Sequence, residues 1–172
     1  MKSICHFVTG LAAMTLLAAV PAVAQTTKVE MKDAKGAAAG TIGLSEVPTG
    51  VLLAVSLKGV PAGVHGFHIH EVGKCDAPAF TTAGGHFNPG KHMHGYMSAQ
   101  GQHAGDLPNL HVAASGDVMI EVLAAGVSLK KGQANSLLDA DGSALVIHEK
   151  PDDYKTDPAG DSGARIICGV IQ

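Results

Sequence analysis

Short runs in which apolar and polar residues alternate dominate this chain, and they predict strands along most of it. Lys28 to Lys32 alternates with a period of two, the spacing that sends every second side chain of a strand to one face. A turn around Gly36 to Gly40 separates it from Thr41 to Leu44, and Pro48-Thr49-Gly50 marks another turn before Val51 to Leu57. Further strands are predicted over Asp117 to Leu123, Ala144 to His148 and Arg165 to Ile171. Between them, Gly59 to Gly63 leads into the run Val64 to His70, in which His68 and His70 face one way and Phe67 and Ile69 the other. The pattern predicts an all-β chain, a β-sandwich or flattened barrel, with no repeat and no internal domain boundary.

Two stretches lack this periodicity, Glu71 to about Asn109 and Lys150 to Ala164. Long structureless loops in compact domains are usually functional or disordered. The first carries His86, His94, His103, Asp106 and Cys75, which favours function. Metal coordination and a crosslink would order a loop too poor in apolar residues to order itself.

Composition narrows the architecture further. The chain has 22 Gly and 8 Pro, which supply turns, and no Trp. With aromatic residues at only 3%, the core is expected to consist of Val, Leu, Ile and Ala.

The first residues read as an export signal. Lys2 precedes the apolar run Ile4 to Val20, and Ala22-Val23-Ala24 is a small-residue cleavage signal. A membrane anchor is the alternative, but the run is short for a bilayer span. Residues 1–24 are therefore expected to be removed, leaving residues 25–172 as one domain. Loss of Lys2 changes the formal charge from −3 to −4. A mildly acidic chain without a basic run argues against nucleic acid or anionic membrane as partner. Cys75 and Cys168 remain after cleavage, and an even pair in an exported chain is expected to form a disulfide.

Ten histidines, most of them in one segment, call for a chemical reading. Histidine and aspartate without thiolate suit zinc or copper(II). Asp106 is a hard anionic ligand, better suited to zinc, and three histidines with one aspartate close a tetrahedral shell. The remaining histidines make an all-nitrogen site suited to copper. His65, His92 and His111 fit no spacing and are expected to be surface or capping residues.

These motifs resemble the copper/zinc superoxide dismutases of the secreted bacterial type. The matching residues are HGFHIHEVGKC at 65–75, GGHFNPGK at 84–91, HG at 94–95, HAGDLPNL at 103–110, VIHEKPDD at 146–153 and GARIICGVI at 163–171. The resemblance implies an eight-stranded antiparallel Greek-key barrel with two long functional loops, holding one copper and one zinc per subunit. It implies copper on His68, His70, His86 and His148, and zinc on His86, His94, His103 and Asp106, with His86 shared. His92 is the competing candidate for the place given to His94. Asp152 would link His68 to His94, and Arg165 would attract and position the anionic substrate, with Lys155 a further source of positive field. The implied activity is dismutation of superoxide to dioxygen and hydrogen peroxide by alternating Cu(II)/Cu(I) chemistry, in the periplasm or outside the cell. Homodimers are usual in the family, although bacterial members pair through different faces or stay monomeric. The competing functions are a copper-binding module without turnover and a metal buffer.

Overall fold

The computed structural model describes residues 26–172; the expected signal peptide lies outside them. The strands are β1 Thr26–Asp33, β2 Ala38–Val47, β3 Gly50–Leu57, β4 Gly63–His65, β5 Phe67–His70, β6 Leu110–Val112, β7 Val118–Ala125, β8 Ser143–His148 and β9 Arg165–Ile171. Among the described residues there is no α-helix, only a 3-10 turn at Thr81–Ala83. Every pairing of named strands is antiparallel. Seven strands form one sheet in the order β5-β8-β9-β1-β2-β3-β7, and β4 pairs with β6.

The run of histidines predicted as a single strand is split. Gly66 interrupts it, so that β4 and β5 join different sheets. Counting β4 and β5 as one interrupted run gives the eight strands expected. The break sits where His148 closes on the chain: Gly66 accepts from the His148 amide at 2.8 Å and donates to the Lys150 carbonyl at 2.8 Å. A side-chain carbon at Gly66 would lie 2.9 Å from Ser162 Cβ and 3.2 Å from the His68 ring, so only glycine fits this crossing.

The inward faces bury the aliphatic residues that the alternation selects. Val29, Ile42, Leu44, Leu53, Ile69, Leu145 and Ile147 are fully buried in one cluster. Each such side chain contributes about 1.5–3 kcal/mol on leaving water. Phe67 and Ile69 face this core, whereas His68 and His70 point away from it, under the irregular segments. The β6 strand and the exact ends of β2 and β7 were absent from the sequence reading. A three-residue strand is too short to show a period.

A disulfide joins Cys75, in the segment after β5, to Cys168 on β9, with Cα atoms 5.7 Å apart and a sequence separation of 93. It packs with a second small cluster containing Phe80, Ala83, Ala144 and Val146. The crosslink therefore fastens the first long loop to the barrel wall.

Candidate metal centre

The geometry of the centre begins at Ile69. Its backbone carbonyl accepts from Phe87 N and its amide donates to the Gly105 carbonyl, each at 2.8 Å. The long loop thus adds itself to the open edge of β5 at two points, setting His86 opposite His70 and Asp106 opposite His68. Residues separated by about twenty positions are brought to the histidine face of one strand by ordinary ladder hydrogen bonds. His148 arrives from β8, the neighbour of β5 on its other side.

Three groups of ligand-bearing side chains result: His68, His70, His86 and His148; His86, His94, His103 and Asp106; and His68, His94 and Asp152. Within each, the ligand atoms lie within 4.8 Å of one another, and every member is buried. His86 is common to the first two groups. In the second, His86 Nδ1 lies 2.8 Å from Asp106 Oδ1 and 3.4 Å from His103 Nδ1. His94 Nδ1 and His103 Nδ1 lie 3.1 and 3.3 Å from the same oxygen. Bonds of about 2.0–2.1 Å to a tetrahedral zinc require ligand atoms about 3.3–3.4 Å apart, close to these separations. In the first group, His70 Nε2 and His148 Nε2 are 3.4 Å apart.

The buried atoms without hydrogen-bond partners test whether metals fit. His68 Nδ1 and His86 Nε2 are buried and unpartnered, and His94 Nδ1 is buried with Asp106 Oδ1 3.1 Å away but no well-aligned hydrogen bond. Buried polar nitrogens are ordinarily satisfied, so these atoms, each in a group able to hold a metal ion, fit metal ligation. The opposite nitrogens are engaged. His68 Nε2 and His94 Nε2 lie 2.8 and 3.0 Å from Asp152 Oδ2 and Oδ1. His70 Nδ1 lies 3.0 Å from the Gly84 carbonyl. Such partners fix the tautomer and aim the free lone pair.

Charge follows the same division. Without metal, burial pushes His70 down to about 2, helped by His86 and Arg165, and pushes His148 down to about 3. Burial also lowers His68, and takes His86 to about 4 despite the Asp106 carboxylate. These rings are held neutral, the form that binds metal. His94 goes the other way: burial would lower it, but Asp106 and Asp152 outweigh that and raise it to about 9. Burial would raise the Asp106 and Asp152 carboxyls, yet their histidine partners hold both well below the usual range.

A cleft of about 530 Å³ opens onto the first group, lined by His70, His86, His148 and Arg165 among others. Arg165 donates to the Phe80 and Gly84 carbonyls at 2.7 and 2.6 Å. Because Gly84 also accepts from His70, one carbonyl aligns the arginine with the histidine. Lys155 is exposed on its loop, where its amide donates to Asp153, and does not line the cleft.

The structure separates the candidate histidines. His94 is fully buried, while His92 is exposed and belongs to none of the three groups. His111 is exposed on β6. His65 departs from the surface role expected of it: it is buried, with Nδ1 2.8 Å from the His148 carbonyl and Nε2 2.9 Å from that of Pro61. Asn109 escaped the sequence reading. It accepts from the Asp152 amide at 2.8 Å and donates to the Asp152 carbonyl at 2.9 Å. A single asparagine before a short strand gives no sequence signal for this clamp.

An antiparallel β-barrel carrying two ligand groups that share an imidazole defines a class of binuclear metalloprotein. This chain belongs to the copper/zinc superoxide dismutase family: the model described as "Copper/zinc superoxide dismutase (SODC)" matches residues 38–171. The chain is 48% identical over 147 residues to superoxide dismutase [Cu-Zn] 1 of Aquifex aeolicus, covering 85% of this chain and 87% of that one. The chain is also 46% identical over 144 residues to the Caulobacter vibrioides superoxide dismutase [Cu-Zn], 83% of each. A crystal structure of a SOD-like protein from Bacillus subtilis superposes with a TM-score of 0.82 at 45% identity, covering 84% of this chain and 97% of that one.

Proposed function

We propose that the protein dismutates superoxide to dioxygen and hydrogen peroxide at a His86-bridged copper–zinc pair. The observation that carries this reading is the dual presentation of His86: Nδ1 faces the group containing Asp106, and Nε2 is orphaned toward the group containing His70 and His148. Copper is assigned to His68 Nδ1, His70 Nε2, His86 Nε2 and His148 Nε2. Zinc is assigned to His86, His94 and His103 through Nδ1, together with Asp106 Oδ1. Bound copper supplies the one-electron chemistry, and zinc, which has no redox chemistry, holds geometry.

The chain's own groups supply the rest. Arg165 attracts and orients the anion at the cleft floor, and its two carbonyl contacts keep the guanidinium from swinging away. When not bound to copper, His86 Nε2 would hold the proton needed to make peroxide and release it. Asp152 fixes His68 and His94 in the tautomers that ligation requires, and Asn109 fixes Asp152. A binding or buffering module without turnover is not favoured, given the full ligand set and the enzymes named among the relatives.

Residues 1–24 are read as a cleaved signal and the mature chain as periplasmic or secreted, a placement supported by the Cys75–Cys168 disulfide. A second copy of the chain is the proposed protein partner. Met119 and Leu123 support this, being exposed on β7 and paired with Ser56 and Leu52 of β3. Light scattering on the mature protein checks that point. Stopped-flow superoxide decay on protein of measured copper and zinc content tests the activity. Fully loaded protein that leaves superoxide decay at the uncatalysed rate would overturn it.

A further inference from the structure

The cleft that exposes the copper ligands also carries two side chains that the proposed chemistry does not use, His92 and Met93. Both are exposed, Met93 by 46%, although methionine is ordinarily a core residue. His92 is held more firmly than its exposure requires. Its amide accepts no freedom: it donates to Asn88 Oδ1 at 3.0 Å, and Asn88 Nδ2 donates to the His92 carbonyl at 2.9 Å. Its ring Nδ1 lies 2.9 Å from the Gln100 carbonyl. A carbonyl oxygen only accepts, so Nδ1 carries the proton and Nε2 of the neutral ring keeps its lone pair. An exposed imidazole that keeps its Nε2 lone pair and an exposed thioether on the next residue, both lining one cleft, suit a soft cation. Thioether selects Cu(I), and imidazole accepts copper in either oxidation state.

Access to the copper group runs through this cleft. His70, His86 and His148 line it, whereas His94 and Asp106 do not. Before metal binds, the cleft lining holds the carboxylates of Glu71 and Asp157 against the single guanidinium of Arg165, which favours a cation. A bound copper ion then becomes the largest local charge and reverses that preference.

Resting on the copper assignment above, we infer that His92 and Met93 form a receiving site for Cu(I) at the cleft mouth, from which the ion passes to His70, His86 and His148. The affinity of such a two-ligand site is low enough to release the ion inward to four nitrogens.

Loading kinetics test this. Zinc-loaded, copper-free protein is mixed with a coloured Cu(I) chelate, and transfer is followed as the colour fades. Met93→Leu should slow transfer from the Cu(I) chelate several-fold and leave uptake of Cu(II) at the wild-type rate. His92→Asn should slow both. Final copper content should equal that of the wild type in every case, because neither residue holds copper at the end. Unchanged Cu(I) transfer in the double variant would overturn the inference. Wild-type protein that ends without copper would overturn the underlying assignment and the inference with it, a separate result. A second readout uses fully loaded protein with carbon-13 methyl methionine, titrated with Ag(I) as a redox-inert stand-in. The Met93 methyl should shift at the first additions. Met97 is 71% exposed but does not line the cleft, and a shift at Met97 alone would also overturn the proposal.

Discussion

His86 serves two ligand groups with one ring, and the residues around it explain how that is arranged. Asp106 takes the Nδ1 side at 2.8 Å, and burial keeps Nε2 free of water and of any protein partner. Asp106→Ala should therefore lose most of the bound zinc and keep the copper, whereas His148→Ala should do the reverse. Elemental analysis reads both, and full zinc in Asp106→Ala would remove the assignment. The role proposed for Arg165 belongs to the same scale but works through charge. A unit charge about 5 Å from superoxide, at an effective dielectric near 20, contributes on the order of 3 kcal/mol before screening. Water and salt at an open cleft reduce that to about 1–2 kcal/mol, or about ten-fold in rate. Arg165→Ile should lower the second-order rate about ten-fold with both metals bound and flatten its salt dependence; an unchanged rate and salt slope would exclude the steering role. Most of these residues were legible because the motifs around them resemble those of a known family; two histidines two apart on a strand are a weak signal by themselves. His65 and Asn109 were not, because each acts through backbone carbonyls and amides brought close only by the fold.

Elements decide which residues meet. Alternation revealed β1, β3, β7, β8 and β9 to within a few residues, since one face of each is buried against aliphatic neighbours. It did not reveal that Gly66 divides the histidine run, because that break is set by the approach of His148 and Ser162 from elsewhere in the chain. The loop that carries His86 buries Phe80, Ala83, Phe87 and Leu107 against the barrel. Its other anchors include the two hydrogen bonds to Ile69, the disulfide and, once bound, the metals. Reducing Cys75–Cys168 frees a loop of 93 residues in the unfolded chain, which should lower stability by roughly 2–4 kcal/mol. It should also speed metal loss, because the segment bearing His86 is released at one end. Chemical denaturation with and without reductant, with metal release followed by a chromogenic chelator, measures both effects. Equal midpoints and equal release rates would show that the ladder bonds and the buried apolar residues hold the loop without the disulfide.

For the whole molecule, the metal centre makes stability depend on pH in a way the barrel alone would not. Without metal, His70, His148 and His86 are depressed to about 2, 3 and 4, from an ordinary value of 6.5. Below about pH 6.5 the unfolded chain takes up protons on these rings and the folded chain does not, so stability falls as the solution is acidified. His94 is raised to about 9. Its contribution is complete below pH 6.5 and is lost as pH rises through 9, because there the folded chain binds the extra proton. Asp106 and Asp152, both depressed, add stability above the usual carboxylate range that is lost only in stronger acid. The opposing signs place the stability maximum of the metal-free protein near neutrality, with loss toward pH 5 and again toward pH 9. Copper and zinc take the same nitrogens that protons would, so loading should raise stability and flatten the alkaline fall, while the acid fall still begins at about pH 6.5 and becomes steeper. Melting temperatures of chelator-treated and metal-loaded protein from pH 5 to pH 9 give the comparison. A metal-free protein whose stability rises steadily from pH 6.5 to pH 9 would mean that His94 is not held as a cation between Asp106 and Asp152.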